Sequence, residues 1–543
     1  MEHRPWHDYY DEGIPTSLTY PEVPIFHFLE ESAKKYPDKP CTIFKGAEIS
    51  YKEMSQITDQ LAQALIDLGV KKGDRVGILI PNTPQFVMAY FAVLKAGGIV
   101  VATNPQYSGR EIIHQANDSG MELMILMSNY YELVKSIQAE TGIKQIICTN
   151  IKETLPPLLG VLFTLAKEKK GGFRVTLRDK DIWLPDLLKE YAGKGPPEVQ
   201  VGPDDTAIFQ YSGGTTGVPK AAIGLHRNLV ANTVQMLSWI RTGVEGAEVV
   251  MMAIPLYHVY GMVAGMNYGM GIGGSLVMVP DPRDLKDLLG NMQKYKTTVF
   301  PAVPALYNAI NNNPDVKAGK YDLSAIKACI SGSAPLLRET KETFERLTGG
   351  MVFEGYGLSE TPTATHCNPN LGENRTGSIG LPFPDVDAKI IDLDDEVTEL
   401  PPGEIGELVI KAPQVFKGYH NMPTETRNAL RDGWLYTGDI ARMDEQGYFY
   451  IVDRKKELIK PGGFQVWPRE VEEVLQDHPA IQDVGVAGVP DPKRGETVKA
   501  WLVLNEGYSL TRDELKEWCL DKMARYKIPT EIEFRAELPK THV

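Results

Sequence analysis

The stretch at residues 211–220, YSGGTTGVPK, contains three glycines, three hydroxyl side chains and a lysine. Glycines let backbone N–H groups turn inward around an anion, and hydroxyls and a lysine add donors for phosphate oxygens. It is not a Walker A loop, because Pro219 precedes the lysine and Ala221 follows it. We interpret it as a phosphate-binding loop that follows a strand at residues 206–210. A glycine-rich surface turn is the alternative.

Outward from this loop, helix-like and strand-like segments alternate. Residues 51–68 place Met54, Leu61 and Leu65 on one helical face, and Gly69 follows them. A second helix opens at Pro84. The strands predicted on this basis are residues 75–80, 99–102, 249–254, 274–279 and 297–303. This alternation predicts an α/β fold, with parallel-rich sheets layered with helices in a large N-terminal domain.

The pattern changes after a predicted strand at residues 448–452. The rest of the chain is short and α+β-like, with strands predicted at 483–489 and 498–504 and helices at 468–476 and 511–523. We therefore predict two domains, residues 1–452 and 453–543, with the boundary at residues 453–456.

Composition and charge exclude several classes of protein. The 543 residues are 43% hydrophobic and 24% charged, which excludes a disordered, collagenous or coiled-coil chain. The formal net charge of −14 argues against a nucleic-acid partner. The five cysteines include no CxxC pair, so neither a disulfide framework nor a zinc site is expected. A cytoplasmic location is predicted, since we find neither a signal peptide nor a spanning helix.

Residues 155–170, LPPLLGVLFTLAKEKK, resemble a surface insertion that is first apolar and then basic. One interpretation is a helix packed on its own domain. The other is a segment that docks on a membrane surface or a lipid, which would make the protein peripheral to a membrane.

Further motifs follow the glycine-rich loop in chain order: residues 331–336 (SGSAPL), 354–362 (EGYGLSETP), 436–439 (YTGD) and 453–468 (DRKKELIKPGGFQVWP). Together they resemble the adenylate-forming superfamily, which contains acyl-CoA synthetases, firefly luciferase and the adenylation domains of peptide synthetases. The resemblance extends over nearly the whole chain. The insertion at residues 155–170 is similar to long-chain fatty-acid–CoA ligases in particular.

The resemblance implies a nucleotide site. Tyr356 offers a flat face for adenine, Asp439 can bind the ribose hydroxyls, and Thr215 and Glu360 are the implied Mg²⁺ ligands. A helix-start cap is the alternative for Glu360, and an Asx turn is the alternative for Asp439. The implied ATP- and AMP-binding residues are Ser212, Gly213, Gly214, Thr215, Thr216, Gly217, Lys220, Gly332, Ser333, Ala334, Glu354, Gly355, Tyr356, Gly357, Ser359, Asp439, Arg454, Lys460 and Gln465.

The resemblance also implies roles in catalysis and in binding of the other substrates. The implied catalytic residues are Thr215, Glu360, Lys456, Lys460 and His258, with Lys456 as the hinge of a mobile C-terminal domain and Lys460 reaching the adenylate. Gly462 and Gly463 are implied to bind coenzyme A.

His258, Tyr260, Gly261 and Gly265 are the implied acyl pocket. Glycines recur every fourth residue from 261 to 269. If this segment is helical, its bare face admits either an alkyl chain or a closely packed neighbour.

The implied reaction uses ATP, Mg²⁺, coenzyme A and a carboxylic acid, which we expect to be a medium- to long-chain fatty acid. An aryl or short acid is the alternative substrate, and a luciferase-like oxidative use stays open. A nucleotide-binding protein without adenylation activity is the alternative from another class. The sequence LPKTHV lacks the Gly-Lys that follows LPKT in the family, and a chain without that lysine is expected to adenylate slowly. A monomer and a homodimer are both compatible with the sequence.

Overall fold

A computed structural model describes residues 4–212, 219–461, 466–491, 494–520 and 522–539. The described chain forms two compact units. The larger contains residues 7–386 and 411–430, and the smaller contains residues 4–6, 387–410 and the chain from residue 431 onward. The predicted α/β architecture with a large N-terminal domain and a smaller C-terminal one is confirmed.

The first sheet of the larger unit has seven strands. In spatial order they are Ile182–Trp183, Gln145–Thr149, Leu123–Met127, Arg75–Leu79, Ile99–Ala102, Thr206–Ser212 and Lys220–Leu225. All neighbours are parallel except the last pair, Thr206–Ser212 and Lys220–Leu225. The predicted strands at residues 75–80 and 99–102 are central in this sheet. They are buried along almost their whole length, as expected for parallel strands covered on both faces.

The second sheet of this unit has nine strands. In spatial order they are Leu381–Pro382, Ala364–Cys367, Met351–Gly357, Ala328–Ser331, Val299–Ala302, Val249–Met252, Ser275–Met278, Pro40–Phe44 and Ala47–Ser50. The central strands are parallel and the outermost pairs are antiparallel. The strands predicted at 249–254, 274–279 and 297–303 lie here, and each is two or three residues shorter than predicted.

Helices cover the two sheets. The α-helices of the larger unit are His27–Lys35, Tyr51–Asp67, Pro84–Lys95, Gly109–Ser119, Tyr131–Ile137, Pro157–Ala166, Leu184–Glu190, His226–Trp239, Tyr268–Gly271, Leu285–Tyr295, Pro304–Asn312, Pro314–Lys317, Arg338–Thr348 and Pro423–Ala429. Short 3₁₀ turns lie at Ser128–Tyr130, Gln138–Glu140 and Ile151–Thr154, and Tyr260–Asn267 is a π-helix.

Local chemistry explains where the first predicted helices begin. Ser50 and Glu53 form a capping box, in which each residue's side chain accepts from the other's backbone N–H. Pro84 occupies the first turn of Pro84–Lys95, where its missing N–H is harmless. Every residue of that helix is buried, and Lys95 is neutralised by Asp59, whose Oδ1 lies 2.6 Å from Nζ.

The smaller unit contains two sheets. The first joins Asp387–Ile391, Gly406–Lys411, Trp434–Met443 and Leu430–Arg431, with Phe449–Arg454 paired to Trp434–Met443. The second joins Ile481–Asp491, Gly495–Leu504 and Glu531–Phe534. The helices Pro468–Gln476 and Arg512–Leu520 accompany the second sheet, and a 3₁₀ turn lies at Lys455–Glu457. The buried side chains of Val471, Leu475, Leu502 and Leu515 belong to one hydrophobic core.

Residues 4–6 belong to the smaller unit. Trp6 is buried and meets Phe449 edge to face, with ring centroids 5.9 Å apart. Arg4 Nη2 lies 2.9 Å from Asp387 Oδ2. Residues 387–410 and 431–452 thus belong to the smaller compact unit. Compactness and hinge position are separate properties, so the domain boundary at residues 453–456 stays a prediction.

Candidate active site

The glycine-rich loop connects two paired strands. Ser212, the last residue of Thr206–Ser212, is the register partner of Lys220. Residues 213–218 of this loop lie outside the described residues. They include the predicted nucleotide-binding positions Gly213, Gly214, Thr215, Thr216 and Gly217.

Lys220 lies in a charged cluster with Tyr419, Glu360 and Glu425. Its ammonium group forms an ion pair with Glu425 and lies 5.5 Å from the centroid of the Tyr419 ring. The Tyr419 hydroxyl donates a hydrogen bond to Glu360 Oε1 at 2.6 Å. Burial, together with the nearby charge of Glu360, raises the pKa of Tyr419 well above its ordinary value. The phenol is therefore a permanent donor that orients the Glu360 carboxylate.

Glu360 lies in a turn closed by a hydrogen bond from Leu358 N to Thr363 O. Within the described chain no helix begins at this turn, so the alternative interpretation of Glu360 as a helix cap is wrong. Its backbone carbonyl accepts from Phe416 N at 2.8 Å. Among the described residues, Oε2 of Glu360 accepts no hydrogen bond, whereas Oε1 is occupied by Tyr419. One available carboxylate oxygen fits the way Mg²⁺ binds beside a nucleotide, with few protein ligands and several phosphate oxygens.

Two of the predicted nucleotide-binding segments lie side by side in the nine-stranded sheet. Ser331, before Gly332, Ser333 and Ala334, is the register partner of Glu354. Both strands are parallel, so the segments that follow them emerge at the same edge of the sheet, where α/β proteins bind ligands. Ser333 has a φ of 70°, and the side chains of Ser333 and Ala334 are exposed.

The buried Glu354 carboxylate bonds to the backbone at this edge of the sheet. It accepts hydrogen bonds from Leu336 N at 3.2 Å and from Gly377 N at 2.8 Å. The carboxylate therefore holds the turn after Ala334 in place. Glu354 thus has a structural role, whether or not it also contacts a nucleotide.

The strand Met351–Gly357 also carries Gly355, Tyr356 and Gly357, and Ser359 lies in the turn that follows. The Tyr356 ring is partly exposed and meets His366 edge to face at 5.8 Å. Gly357 leaves no room for a side chain, because a Cβ there would lie 1.6 Å from the Thr363 carbonyl oxygen. This contact keeps the Glu360 turn tight against the strand that carries Tyr356.

His258 and Tyr260 lie where the buried glycine-rich segment begins. Tyr260 N donates to His258 Nδ1 at 3.2 Å, which leaves the imidazole proton on Nε2. Burial lowers the pKa of His258 to about 4, so the ring is neutral at pH 7. The Tyr260 hydroxyl donates to Ile330 O at 2.7 Å, and a Cβ at Gly332 would touch the Tyr260 ring at 3.3 Å. The structure thus brings this part of the predicted acyl pocket beside the predicted adenine loop.

The segment after Tyr260 is a π-helix, which is wider than the α-helix that a four-residue glycine spacing suggests. A Cβ at Gly261 would lie 2.4 Å from Pro255 O, one at Gly265 would lie 2.6 Å from Met252 Cε, and one at Gly269 would lie 2.5 Å from Leu276 Cδ2. The space where a side chain of each glycine would lie is therefore occupied by neighbouring protein atoms. This favours the close-packing interpretation, and an acyl-pocket role for Gly261 and Gly265 stays a prediction.

In the smaller unit, Asp439 and Arg454 are register partners on adjacent strands. Arg454 Nε lies 2.7 Å from Oδ1 of the buried Asp439. Asp439 N donates to Thr437 Oγ1 at 3.0 Å, which fixes the turn in the YTGD motif.

The remaining cations of this region have different surroundings. Lys455 Nζ lies 2.6 Å from Glu396 and 2.7 Å from Glu407, whereas Lys456 and Lys460 are exposed. The Lys460 backbone N–H donates to Glu496 at 2.9 Å. The predicted residues Gly462, Gly463 and Gln465 lie outside the described residues.

Tyr419 and Glu425 were missed by the sequence analysis. Tyr419 is 59 positions from Glu360 and Glu425 is 205 positions from Lys220, so no local spacing signals either contact. Among the described residues, no group of three or more His, Cys, Asp or Glu side chains could hold a metal ion by itself.

These features define an α/β protein whose candidate ligand site lies at the carboxyl ends of parallel strands, and a smaller α+β unit accompanies it. A family model described as AMP-binding enzyme matches residues 29–420, and one described as AMP-binding enzyme C-terminal domain matches residues 470–543. The chain belongs to this family of AMP-binding enzymes.

Several relatives match over nearly the whole chain. A long-chain-fatty-acid–CoA ligase from Bacillus subtilis strain 168 is 41% identical, over 99% of this chain and 96% of the relative. A protein of the same name from Escherichia coli O6:H1 is 36% identical over the same shares. A 4-coumarate–CoA ligase from Vanilla planifolia is 30% identical, over 97% of this chain and 92% of the relative.

Solved structures match the fold. ATP-bound MatB from Rhodopseudomonas palustris superposes with a TM-score of 0.82 at 28% identity, over 96% of each chain. The o-succinylbenzoate CoA synthetase MenE from Bacillus subtilis, in complex with its acyl-adenylate intermediate, has a TM-score of 0.77 at 26% identity, also over 96% of each chain.

Proposed function

We propose that this chain is an ATP-dependent acid–thiol ligase that joins a medium- to long-chain fatty acid to coenzyme A. The observation that carries the proposal is the 41% identity to a long-chain-fatty-acid–CoA ligase over 99% of the chain. An aryl acid is the second candidate, because a 4-coumarate–CoA ligase is 30% identical over 97% of the chain.

The reaction has two balanced steps. A carboxylate oxygen of the acid attacks the α-phosphorus of ATP, and the bond to the leaving pyrophosphate breaks. The thiolate sulfur of coenzyme A then attacks the acyl carbon, and the bond to AMP breaks. Neither step requires a covalent nucleophile from the protein, so its residues contribute orientation and charge.

On the phosphate side we assign Lys220 and the glycine-rich loop to the phosphate oxygens. The Lys220 ion pair with Glu425 holds the ammonium in position before ATP arrives. Glu360, with Thr215, is the proposed Mg²⁺ site. Bound Mg²⁺ would neutralise phosphate charge, and Tyr419 keeps the Glu360 carboxylate oriented toward it.

For the nucleoside, we assign Tyr356 and the loop that begins at Gly332 to adenine, and Asp439 with Arg454 to the ribose. Arg454 Nε lies 2.7 Å from Oδ1 of the buried Asp439, and a carboxylate held beside a guanidinium suits an acceptor for ribose hydroxyls. Gln465 is assigned to the nucleotide site by resemblance.

For the remaining substrates we assign His258 and Tyr260 to the acyl and phosphate side, and Gly462 with Gly463 to coenzyme A. The neutral His258 can donate from Nε2 without placing a positive charge beside the acyl chain. Lys460 is the proposed adenylate contact. Lys456 is the proposed hinge of a mobile domain that starts at residue 453 and serves the two steps in turn.

Localisation and assembly complete the proposal. Among the described residues, no helix is both long and apolar enough to cross a membrane. We propose a cytoplasmic enzyme with peripheral membrane contact, active as a monomer or homodimer.

An acid panel tests the proposal. The chain is assayed for AMP release with and without coenzyme A, using fatty acids of increasing length and 4-coumarate. We expect the highest kcat/KM for a medium- or long-chain fatty acid. Higher kcat/KM for 4-coumarate would favour the aryl alternative, and absence of ATP–pyrophosphate exchange with every acid would contradict a ligase.

Glu360 and Tyr419 provide a matched test of the site. Glu360→Ala should lower pyrophosphate exchange by roughly 100-fold. Tyr419→Phe removes only the orienting hydroxyl, so it should raise the Mg²⁺ requirement and cost roughly tenfold in kcat. Near-normal pyrophosphate exchange by Glu360→Ala would contradict the assignment of Glu360 to the Mg²⁺ site.

A further inference from the structure

The helix Pro157–Ala166 exposes an unusual amount of apolar surface. It contains no buried residue, and it carries five of the fifteen large hydrophobic side chains that are exposed in the described chain. Those five are Leu158 (73% exposed), Leu159 (41%), Val161 (58%), Leu162 (51%) and Leu165 (79%). At 100° per residue they cover one continuous face of the helix.

The helix is fixed to the larger unit by its opposite face and its C-terminal end. Phe163 packs edge to face against Phe173, with ring centroids 5.3 Å apart. The buried Glu168 carboxylate, directly beyond the helix, forms ion pairs with Lys152 and Arg174. These contacts hold the helix in one orientation and leave its apolar face outward.

Unpaired cations follow the apolar face directly. Within the described residues, Lys167, Lys169 and Lys170 are exposed and form no ion pair. They place three exposed positive charges within four residues of a protein whose formal net charge is −14. The apolar face and this basic cluster are contiguous in sequence, and together they form what we call the docking helix, residues 157–170.

We infer that the docking helix binds the surface of a membrane that contains anionic phospholipids. The helical part is about 15 Å long, at 1.5 Å per residue, which is too short to span a bilayer but suits a helix lying in the interface plane. Leucine and valine side chains enter the acyl region, and the three lysines meet phosphate groups, each adding favourable energy close to the surface.

This inference rests on the peripheral membrane contact in the proposed function and assigns that contact to one surface. It does not depend on the ligase reaction, because membrane binding can be measured without any substrate. Where the substrate is a fatty acid, the docking helix would hold the enzyme at the surface into which that acid partitions.

Vesicle flotation tests the inference with the full chain. The vesicles contain phosphatidylcholine alone or phosphatidylcholine with phosphatidylglycerol, at low and at high salt. We expect binding to the anionic vesicles, weakened by high salt, and weak binding to the neutral ones.

Two variants and one control separate the contributions. The double variant Leu162→Gln, Leu165→Gln and the triple variant Lys167→Glu, Lys169→Glu, Lys170→Glu should each weaken binding to anionic vesicles by at least roughly tenfold. The matched control Leu371→Gln, Val397→Gln changes two equally exposed hydrophobic residues elsewhere and should bind like the unmodified chain. Thermal unfolding of each variant checks that the fold is intact.

Three results would overturn the inference. They are equal flotation of the control and both docking-helix variants, absence of flotation with anionic vesicles, and a concentration-dependent dimer in sedimentation velocity that Leu162→Gln, Leu165→Gln dissociates. The last would assign the face to a second copy of the chain.

AMP release with a short soluble acid is measured on the same variants. Its retention alongside lost flotation supports the inference, and its absence in the unmodified chain contradicts the proposed function alone.

Discussion

Two apolar helical segments of the larger unit have opposite surroundings. The segment formed by Tyr260–Asn267 and Tyr268–Gly271 is buried along almost its whole length, whereas Pro157–Ala166 contains no buried residue. Both contain glycine, and both lack charged side chains. The difference is that Gly261, Gly265 and Gly269 bring the first backbone against neighbouring atoms, while a Cβ at Gly160 would meet only Lys152 O at 3.5 Å. Burial here follows from close backbone approach, which apolar composition alone does not provide.

The largest expected effect comes from placing a charge on each helix. Met266 is fully buried, so Met266→Asp should lower the free energy of unfolding by about 4 kcal/mol or more. The matched change Leu162→Asp, on the exposed face, should cost less than about 0.5 kcal/mol. Urea unfolding measures both. Similar losses in the two variants would show that Pro157–Ala166 is covered in solution.

A methyl group added to the glycine of each helix sharpens the comparison. Gly261→Ala should cost about 3 kcal/mol, because the new Cβ would lie 2.4 Å from the Pro255 carbonyl oxygen and the backbone must move. Gly160→Ala should instead stabilise by up to about 1 kcal/mol, since alanine favours helix and has room there. We expect the urea midpoint to fall in Gly261→Ala and to rise in Gly160→Ala, relative to the unmodified chain. A tolerated Gly261→Ala would contradict the tight contact.

A larger side chain at Gly265 distinguishes packing from an acyl pocket. The Cβ would meet the flexible end of Met252, so Gly265→Leu should cost about 2 kcal/mol and lower activity equally for acids of every length. The assay is kcat/KM over a series of fatty acids. Selective loss for the longest acids would place Gly265 in the acyl pocket and make the buried helix part of the substrate site.

The last expected effect is a pH dependence that comes from His258, which lies two residues before the buried segment. The folded-state pKa of His258 is lowered to about 4 by burial, and Pro157–Ala166 has no titratable group. The unfolded chain takes up a proton below about pH 6.5, so this stabilisation is present above pH 6.5 and is lost as the pH falls toward 4.

Two other histidines contribute in the same direction, because burial also lowers the pKa of His226 to about 4 and of His366 to about 3. His258→Gln should therefore remove only part of the stability loss between pH 6.5 and 4, at most about 3 kcal/mol, because one pKa unit corresponds to about 1.4 kcal/mol. The measurement is urea unfolding across that range, with Leu162→Gln as the control that keeps the full slope. An unchanged slope in His258→Gln would show that the imidazole titrates normally in the folded protein.

The sequence predicted those helices, strands and motifs whose pattern lies entirely within one short segment. Buried parallel strands such as Ile99–Ala102 are continuous apolar runs, and the helix Tyr51–Asp67 has both its periodicity and its cap in the local sequence. The order of the nucleotide-binding motifs identified the family for the same reason, since each motif is a local pattern.

Features that depend on distant residues were not predictable in this way. The π-helical turn after Tyr260 has an α-like glycine spacing, and its wider winding accompanies the close contacts of Gly261 with Pro255 and Gly265 with Met252. Tyr419 was missed because its role lies in a contact with Glu360. The assignment of residues 387–410 to the smaller unit also depends on long-range strand pairing, which leaves no periodic trace in either segment.

The position of Trp6 in the smaller unit has a consequence during synthesis. Arg4 finds Asp387 across 383 positions of the chain, and at about 5–20 residues per second the ribosome takes roughly 20 to 80 s to reach that partner. Throughout that interval the larger unit is being translated, and the indole of Trp6, one of the largest side chains that end up fully buried, cannot yet meet the ring of Phe449. Residues 4–6 thus reach their final environment long after they are synthesised, and chaperones that bind nascent chains have a long opportunity at this tryptophan.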